Sequence, residues 1–407
     1  MTNPKLALIP SGYKTATVYS ILPNDASGDF TYERNGSATR MRKDGLIEEL
    51  TVDDTPRLDW LNSNCPSLLL EPQRTNLQSY SENFSGAAWT PSFVTITANS
   101  SISPNGELTA YKIESHQTNF SAELKGFLSI TSNTEYTYSI YVKAGTTSIC
   151  RVELTDRINS SDYYYGLVRF DMATETLSTN LATASFDKLD GGWYRLKMTA
   201  TSPNPILGST NAKIILPEVG SIFIWGAQME VGDYATSYIK NVDDANGVTR
   251  LKDECLNGGD ADLFDVSELS WFVDVTNFAT PLNDFCYITI TDGQSTPINM
   301  IRLTYEETRI VVTVYDNGTN ELGYNITSVT ANQRNKVLLT FDGNEAKIYF
   351  NGVLKNTSTN VVLPSNLDSL SFSNRTENGR NFEGKVHDTR VYDRVLTEAE
   401  AIQLTTI

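Results

Sequence analysis

From about residue 93 onward apolar and polar residues alternate with a period of two, and long helical periodicity is nearly missing. Successive side chains of an extended chain leave opposite faces, so this pattern confines the polypeptide to antiparallel sheets with one buried side. In EYTYSIYVKAG (135–145), Tyr136, Tyr138, Ile140 and Val142 fall on one face and Thr137, Ser139, Tyr141 and Lys143 on the other. SICRVELTDR, YGLVRFDM, GGWYRLKMTATS, AKIILPEV and SIFIWGAQMEV repeat the habit, with Gly, Asn, Pro and Asp clusters between them. Roughly eight such strands between residues 90 and 240 are enough for a two-sheet sandwich.

With 407 residues the chain is long enough for more than one core. After YATSYI (234–239) the alternation weakens in NVDDANGVTRLKDECLNGGDAD, and a second strand set follows, from SWFVDVTNF to KVHDTRVYD. The expectation is an all-β protein with two antiparallel sandwiches behind a short-stranded N-terminal segment. Its divisions are 1–77, an attachment segment; 78–240, a jelly roll; 241–261, a linker; and 262–407, a second sandwich. The leucines of SLLLE in the first segment need a surface on which to be buried, either the first sandwich or copies of the same segment. Asn351-Gly352 marks a tight hairpin, and Asp342-Gly343-Asn344-Glu345 a somewhat longer turn. Thr397 and Glu400 have capping-box spacing, which predicts a short helix from Glu398.

Several stretches carry a family resemblance. DFTYERNGSATRMRKDGLIEEL (29–50), PRLDW and CPSLLLEPQRTNLQSYSENFSGAAW (65–89) resemble the opening of bacteriophage tail and appendage proteins. GGWYRLKMTAT (191–201) and IFIWGAQMEVGDYATSYI (222–239) are similar to the closing strands of the carbohydrate-binding-module-like jelly roll that usually follows. VLLTFDGNEAKIYFNGVL (337–354) and FEGKVHDTRVYDRVLTEAEAIQL (382–404) resemble concanavalin A-like and laminin G-like domains. The resemblance implies a virion protein made in the host cytoplasm. Its partners would be other virion proteins, further copies of itself in a trimer, and surface glycans. In that family the Glu71 and Arg74 joint precedes the jelly roll, so these residues read as a structural ion pair or backbone-bonding set.

A formal charge of −17 sets the whole-molecule field against nucleic acid and anionic lipid. No run of about 18 apolar residues is present to cross a bilayer, and the opening MTNPKLALIPSGYK lacks the marks of a secretory signal. Cys65, Cys150, Cys255 and Cys286 are too far apart for a zinc motif and read as reduced, buried thiols. His116 and His387 sit in alternating strands without a nucleophile or metal partner at motif spacing. No catalytic residue is assigned and no enzymatic activity is expected, although two carboxylates suffice for glycoside cleavage and this acidic chain has many. No cofactor is expected; calcium stays open at Asp243, Asp244 and Asn246 or at Asp260, Asp262 and Asp265. Sugar binding needs exposed aromatic faces, and the run Tyr163, Tyr164, Tyr165 must turn at least one ring out of the core. Trp89, Trp193, Trp225 and Trp271 read as core. The function expected is a non-enzymatic virion protein that displays lectin-like domains to glycans. The alternatives are a structural decoration protein without a ligand, and a polysaccharide depolymerase.

Overall fold

A computed structural model describes residues 3–117, 122–158, 161–264, 266–278, 285–373 and 380–407. The protein is nearly all β, built from antiparallel sheets in two compact units. One unit joins Ala38–Leu50 to Gln73–Arg250; the other joins Met1–Ser37 and Thr51–Pro72 to Leu251–Ile407.

In the first unit two six-stranded sheets face each other. One runs in the order Trp89–Ser92, Glu123–Leu128, Ser209–Ile215, Ile149–Ile158, Ser161–Asp171, Thr176–Asn180. The other centres on Gly220–Val231 and Glu135–Ala144. Tyr136, Tyr138, Ile140 and Val142, the face that the alternation sends inward, join Val152, Leu154 and Ile214 in the core between them. The second sheet's outer face is covered as well. Tyr141 and Trp225 project from it against Tyr238 and Ile47, with the rings of Tyr141 and Trp225 edge to face at 5.2 Å.

The second unit packs an eight-stranded sheet around Glu268–Asn277 against a five-stranded sheet around Met300–Tyr305. Trp271, Val273, Ile288, Leu303 and Leu339 lie between them, fully buried or nearly so. The expected helix, Glu398–Thr405, lies on the outer side of the eight-stranded sheet, its Ala401 against Phe272, Leu338, Tyr349 and Tyr392. Thr397 caps it, accepting from the Glu400 amide while the Glu400 carboxylate accepts from the Thr397 amide at 3.0 Å. Asn351 and Gly352 both have positive φ, as a type I′ hairpin demands. The turn at Asp342 is shorter than expected. Asp342 pairs with Glu345, leaving two residues in the loop, and Gly343 supplies the positive φ that its first position needs.

The linear division into segment, sandwich, linker and sandwich is corrected in two places. Residues 1–77 do not act as one segment: 38–50 and 73–77 join the jelly roll, whereas Leu6–Leu8 and Ser67–Leu70 pair with Gly384–Tyr392 and extend the eight-stranded sheet of the C-terminal sandwich. Leu6, Leu8, Leu68 and Leu70 thereby enter its core, where each apolar side chain contributes about 1.5–3 kcal/mol. Nor are residues 241–261 a free linker. Val248–Arg250 pairs with Arg74–Asn76 in one unit, and Glu254–Leu256 pairs with Phe30–Glu33 in the other.

Glu71 is part of a buried charge cluster with a different partner from the one expected. Its Oε2 accepts from Arg57 at 2.6 Å, whereas Arg74 lies over the Tyr234 ring, 5.4 Å from its centroid. Arg57 also donates to Asp253, which accepts from the Glu71 amide at 2.8 Å and from the Tyr32 hydroxyl at 2.5 Å. Arg34 donates to Tyr32 at 3.2 Å. Burial pulls the Arg57 guanidinium down, but Asp253 and Glu71 outweigh it and leave its pKa well above the usual arginine value. Charges drawn from four short segments thus fasten the N-terminal strands to the C-terminal sandwich.

Candidate functional site

The outer face left uncovered in the first unit belongs to the sheet that carries the tyrosine run. Its outward residues follow from register. Phe127, Asn211, Thr155 and Tyr164 stand side by side on four adjacent strands, and Lys125, Lys213 and Glu153 form the next row. Core residues such as Leu124, Ala212, Leu154 and Val168 occupy the opposite side of the same strands. At the usual strand spacing, Phe127 and Tyr164 are about 14 Å apart across the sheet. Both rings are exposed, Phe127 at 53% and Tyr164 at 39%, so two aromatic walls flank a polar floor.

That floor is buried although it faces outward, because long side chains in the middle of the sheet cover one another. Lys213 donates to Glu123 at 3.1 Å and to Asp162 at 2.5 Å. Burial lowers the pKa of its ammonium, but the hydrogen bonds it donates to Asp162 and Glu123 win and raise it, so Lys213 is charged at neutral pH. Arg151 pairs with Glu153, and Lys125 with Glu123 at 3.1 Å. Thr155 is fully buried, and its hydroxyl has no hydrogen-bond partner among the described residues. An unpartnered buried hydroxyl is unfavourable in the isolated protein.

Of the three tyrosines proposed from sequence, Tyr163 and Tyr164 are exposed and Tyr165 is buried. The register shift between Leu154 and Thr155 makes the difference. Thr155 pairs with Tyr164 and Leu154 with Gly166, so Tyr165 is the additional residue of a bulge and packs into the core. Tyr164 is fixed by Asn180, whose amide donates to its hydroxyl at 3.1 Å. Phe127, Thr155, Asn211 and Lys213 were missed. The signal was available: Lys125 and Phe127, Glu153 and Thr155, Asn211 and Lys213 all sit two apart, out of phase with their apolar neighbours.

The other expectations find these places. Trp89, Trp193, Trp225 and Trp271 are buried. Cys150, Cys255 and Cys286 are buried and in no disulfide, while Cys65 is exposed, a correction to the expectation of four buried ones. His116 is also corrected: it is exposed, just past the strand Ala110–Ser115. His387 lies within Gly384–Tyr392 and shares a hydrogen bond of 3.0 Å with the Thr276 hydroxyl. Burial, aided by Arg334, lowers its pKa to about 4. Among the described residues no three His, Cys, Asp or Glu side chains gather to hold a metal ion, and Asp265 lies outside the described residues. At the other acidic cluster, the Asp244 carboxylate is engaged by the Asn246 amide at 2.8 Å. No described helix is long and apolar enough to cross a membrane.

Two carboxylates also meet on the C-terminal sandwich. Asp274 and Asp388 stand directly opposite on neighbouring strands of the C-terminal sandwich. Arg334 grips Asp274 with two bonds of 2.7 and 2.6 Å, and Arg390 grips Asp388 at 3.1 and 2.6 Å. Burial raises the Asp388 pKa against the opposing pull of Arg390.

Residues 278–402 match the family model described as the concanavalin A-like lectin/glucanases superfamily. No curated protein matches the chain in sequence. Among solved structures, the CBM40 of the Ruminococcus gnavus IT-sialidase bound to alpha2,3 sialyllactose aligns at 15% identity and a TM-score of 0.31. That alignment covers 36% of this chain and 86% of that one. The NanB sialidase from Streptococcus pneumoniae aligns at 13% identity and 0.31, covering 35% of this chain and 24% of that one. The heptameric SAP-like pentraxin from Limulus polyphemus aligns at 13% identity and 0.27, covering 35% and 70% respectively.

Proposed function

We propose that this chain is a non-enzymatic glycan-binding protein of a bacteriophage virion, an appendage or fibre component that adheres to host or environmental polysaccharide. The observation that carries the binding reading is the uncovered sheet face. Exposed Phe127 and Tyr164 flank a hydrogen-bonding floor with an unsatisfied Thr155 hydroxyl. Aromatic faces stack on the C–H side of a pyranose while the floor groups bond its hydroxyls. The spacing of the two rings suits a short oligosaccharide rather than a single sugar. The virion reading rests on the N-terminal motifs at residues 29–50 and 65–89, and trimeric assembly with other virion proteins belongs to it. A glycan array probed with the intact protein tests binding: signal on a defined set of glycans, lost in F127A/Y164A, supports it. Absence of any signal leaves the decoration-protein alternative.

A second reading, a depolymerase, is favoured by Asp274 and Asp388, which stand directly opposite each other on neighbouring strands, as two carboxylates suffice for glycoside cleavage. Release of reducing ends from host capsule, abolished by D388N, would establish it.

A further inference from the structure

The five-stranded sheet of the C-terminal sandwich also has an outward face, and its centre is an arginine whose forked end has no hydrogen-bond or ion-pair partner among the described residues. Arg302 stands beside Thr289 and Thr313 in one cross-strand row. Its guanidinium lies over two rings, 5.0 Å from the centroid of Tyr287 and 5.9 Å from that of Tyr315. Its Nε donates to the Thr313 hydroxyl at 3.2 Å. No described carboxylate pairs with it: Asp316 sits at the far end of Arg309–Asp316, and Glu321 lies one strand further out, on Thr319–Thr327. In a chain with 49 acidic residues, a charged side chain kept clear of acids stands out from its surroundings.

Cation–π contact engages the faces of a guanidinium and leaves the N–H groups in its plane available. Those two terminal nitrogens form a planar fork matched to a carboxylate, and half-burial among tyrosines and threonines strengthens such a pair relative to one in water. The tyrosine rings and the hydroxyls of Thr304 and Thr313 add what a sugar ring needs beyond its acid group, whereas the Thr289 hydroxyl is committed to the Ser373 carbonyl at 2.7 Å.

We propose that Arg302 is the anchor of a second site, which takes the carboxylate of an acidic sugar residue, with Tyr287 and Tyr315 holding the guanidinium in place. This site belongs to the other unit and stands whether or not the Phe127–Tyr164 face binds neutral glycans. The test is a calorimetric titration of the intact protein with tetragalacturonate, its uncharged methyl ester and tetraglutamate. Binding of the acid at least tenfold tighter than the ester and the peptide is expected. R302K, which keeps the charge and loses the fork, should weaken the acid at least fivefold, and R302M should remove it, while F127A/Y164A leaves it unchanged. Equal binding of acid and ester, equal binding of the peptide, no binding of the acid, or an R302K protein that binds as the unaltered one does would each overturn the assignment. The comparison of acid with ester on the unaltered protein decides the matter even where a variant fails to fold.

Discussion

Replacing Arg57 by methionine tests how the N-terminal segments are held in the C-terminal sandwich. Arg57, Glu71 and Asp253 are essentially inaccessible to solvent, and Arg57 bridges the two acids. Arg34 offers a second positive charge, 3.6 Å from Asp253, so the group as it stands is balanced: two cations against two anions. Methionine fills most of the volume but leaves one buried negative charge in excess and strips Glu71 of its 2.6 Å partner. Breaking one half of a buried pair in this way costs about 3–5 kcal/mol. For a unit of this size each kcal/mol moves the midpoint by about 2–4 °C, so the unit's thermal transition should fall by about 6–20 °C. Differential scanning calorimetry on the intact protein should show this fall in the transition of the unit holding residues 251–407, with the jelly-roll transition unmoved. The variant R57M/E71Q, which removes one charge of each sign and leaves Arg34 facing Asp253, should recover a large part of the loss. A drop below 1 kcal/mol in R57M would show that the cluster is hydrated and fastens nothing.

Other outcomes follow from single groups. Thr155→Val removes an unpartnered buried hydroxyl and should raise the jelly-roll midpoint, by about 1 kcal/mol of stability, while weakening glycan binding; a fall in midpoint in thermal unfolding would mean the hydroxyl already has a partner. His387, with a folded pKa near 4 against the ordinary 6.5, binds fewer protons folded than unfolded between those values. Stability therefore rises with pH through that window and is lost as pH falls from 6.5 to 4, by at most roughly 3 kcal/mol. H387Q should flatten this part of a urea-unfolding series against pH. Thr397→Ala deletes the helix cap and should cost about 1 kcal/mol, read as a shifted urea midpoint; no shift would mean that packing of Ala401 alone holds the helix.

What was legible in the sequence was local. The strands of 135–145 and 193–201, the Asn351-Gly352 hairpin and the Thr397 cap are each encoded within a dozen residues, where period, turn chemistry and cap spacing act directly. The interleaving of the two units was not legible. Leu6–Leu8 pairs with residues more than three hundred positions away, and strands of three or four residues carry too little alternation to name a partner. The charge cluster was hidden for the same reason, because Arg34, Arg57, Glu71 and Asp253 meet only after folding. At the candidate site Tyr164 was visible as one of three adjacent aromatics. Choosing between Tyr164 and Tyr165 depended on a bulge opposite Leu154 and Thr155, which no local pattern announces.

The central proposal is a sheet face that holds polysaccharide without altering it. Co-sedimentation of the intact protein with purified host-envelope polysaccharide, with polymer length followed by size-exclusion chromatography, examines both halves together. Saturable binding reduced at least tenfold in F127A/Y164A, with polymer length unchanged after long incubation, is the predicted result. Undiminished binding by the double variant, or progressive shortening of the polymer, would contradict it.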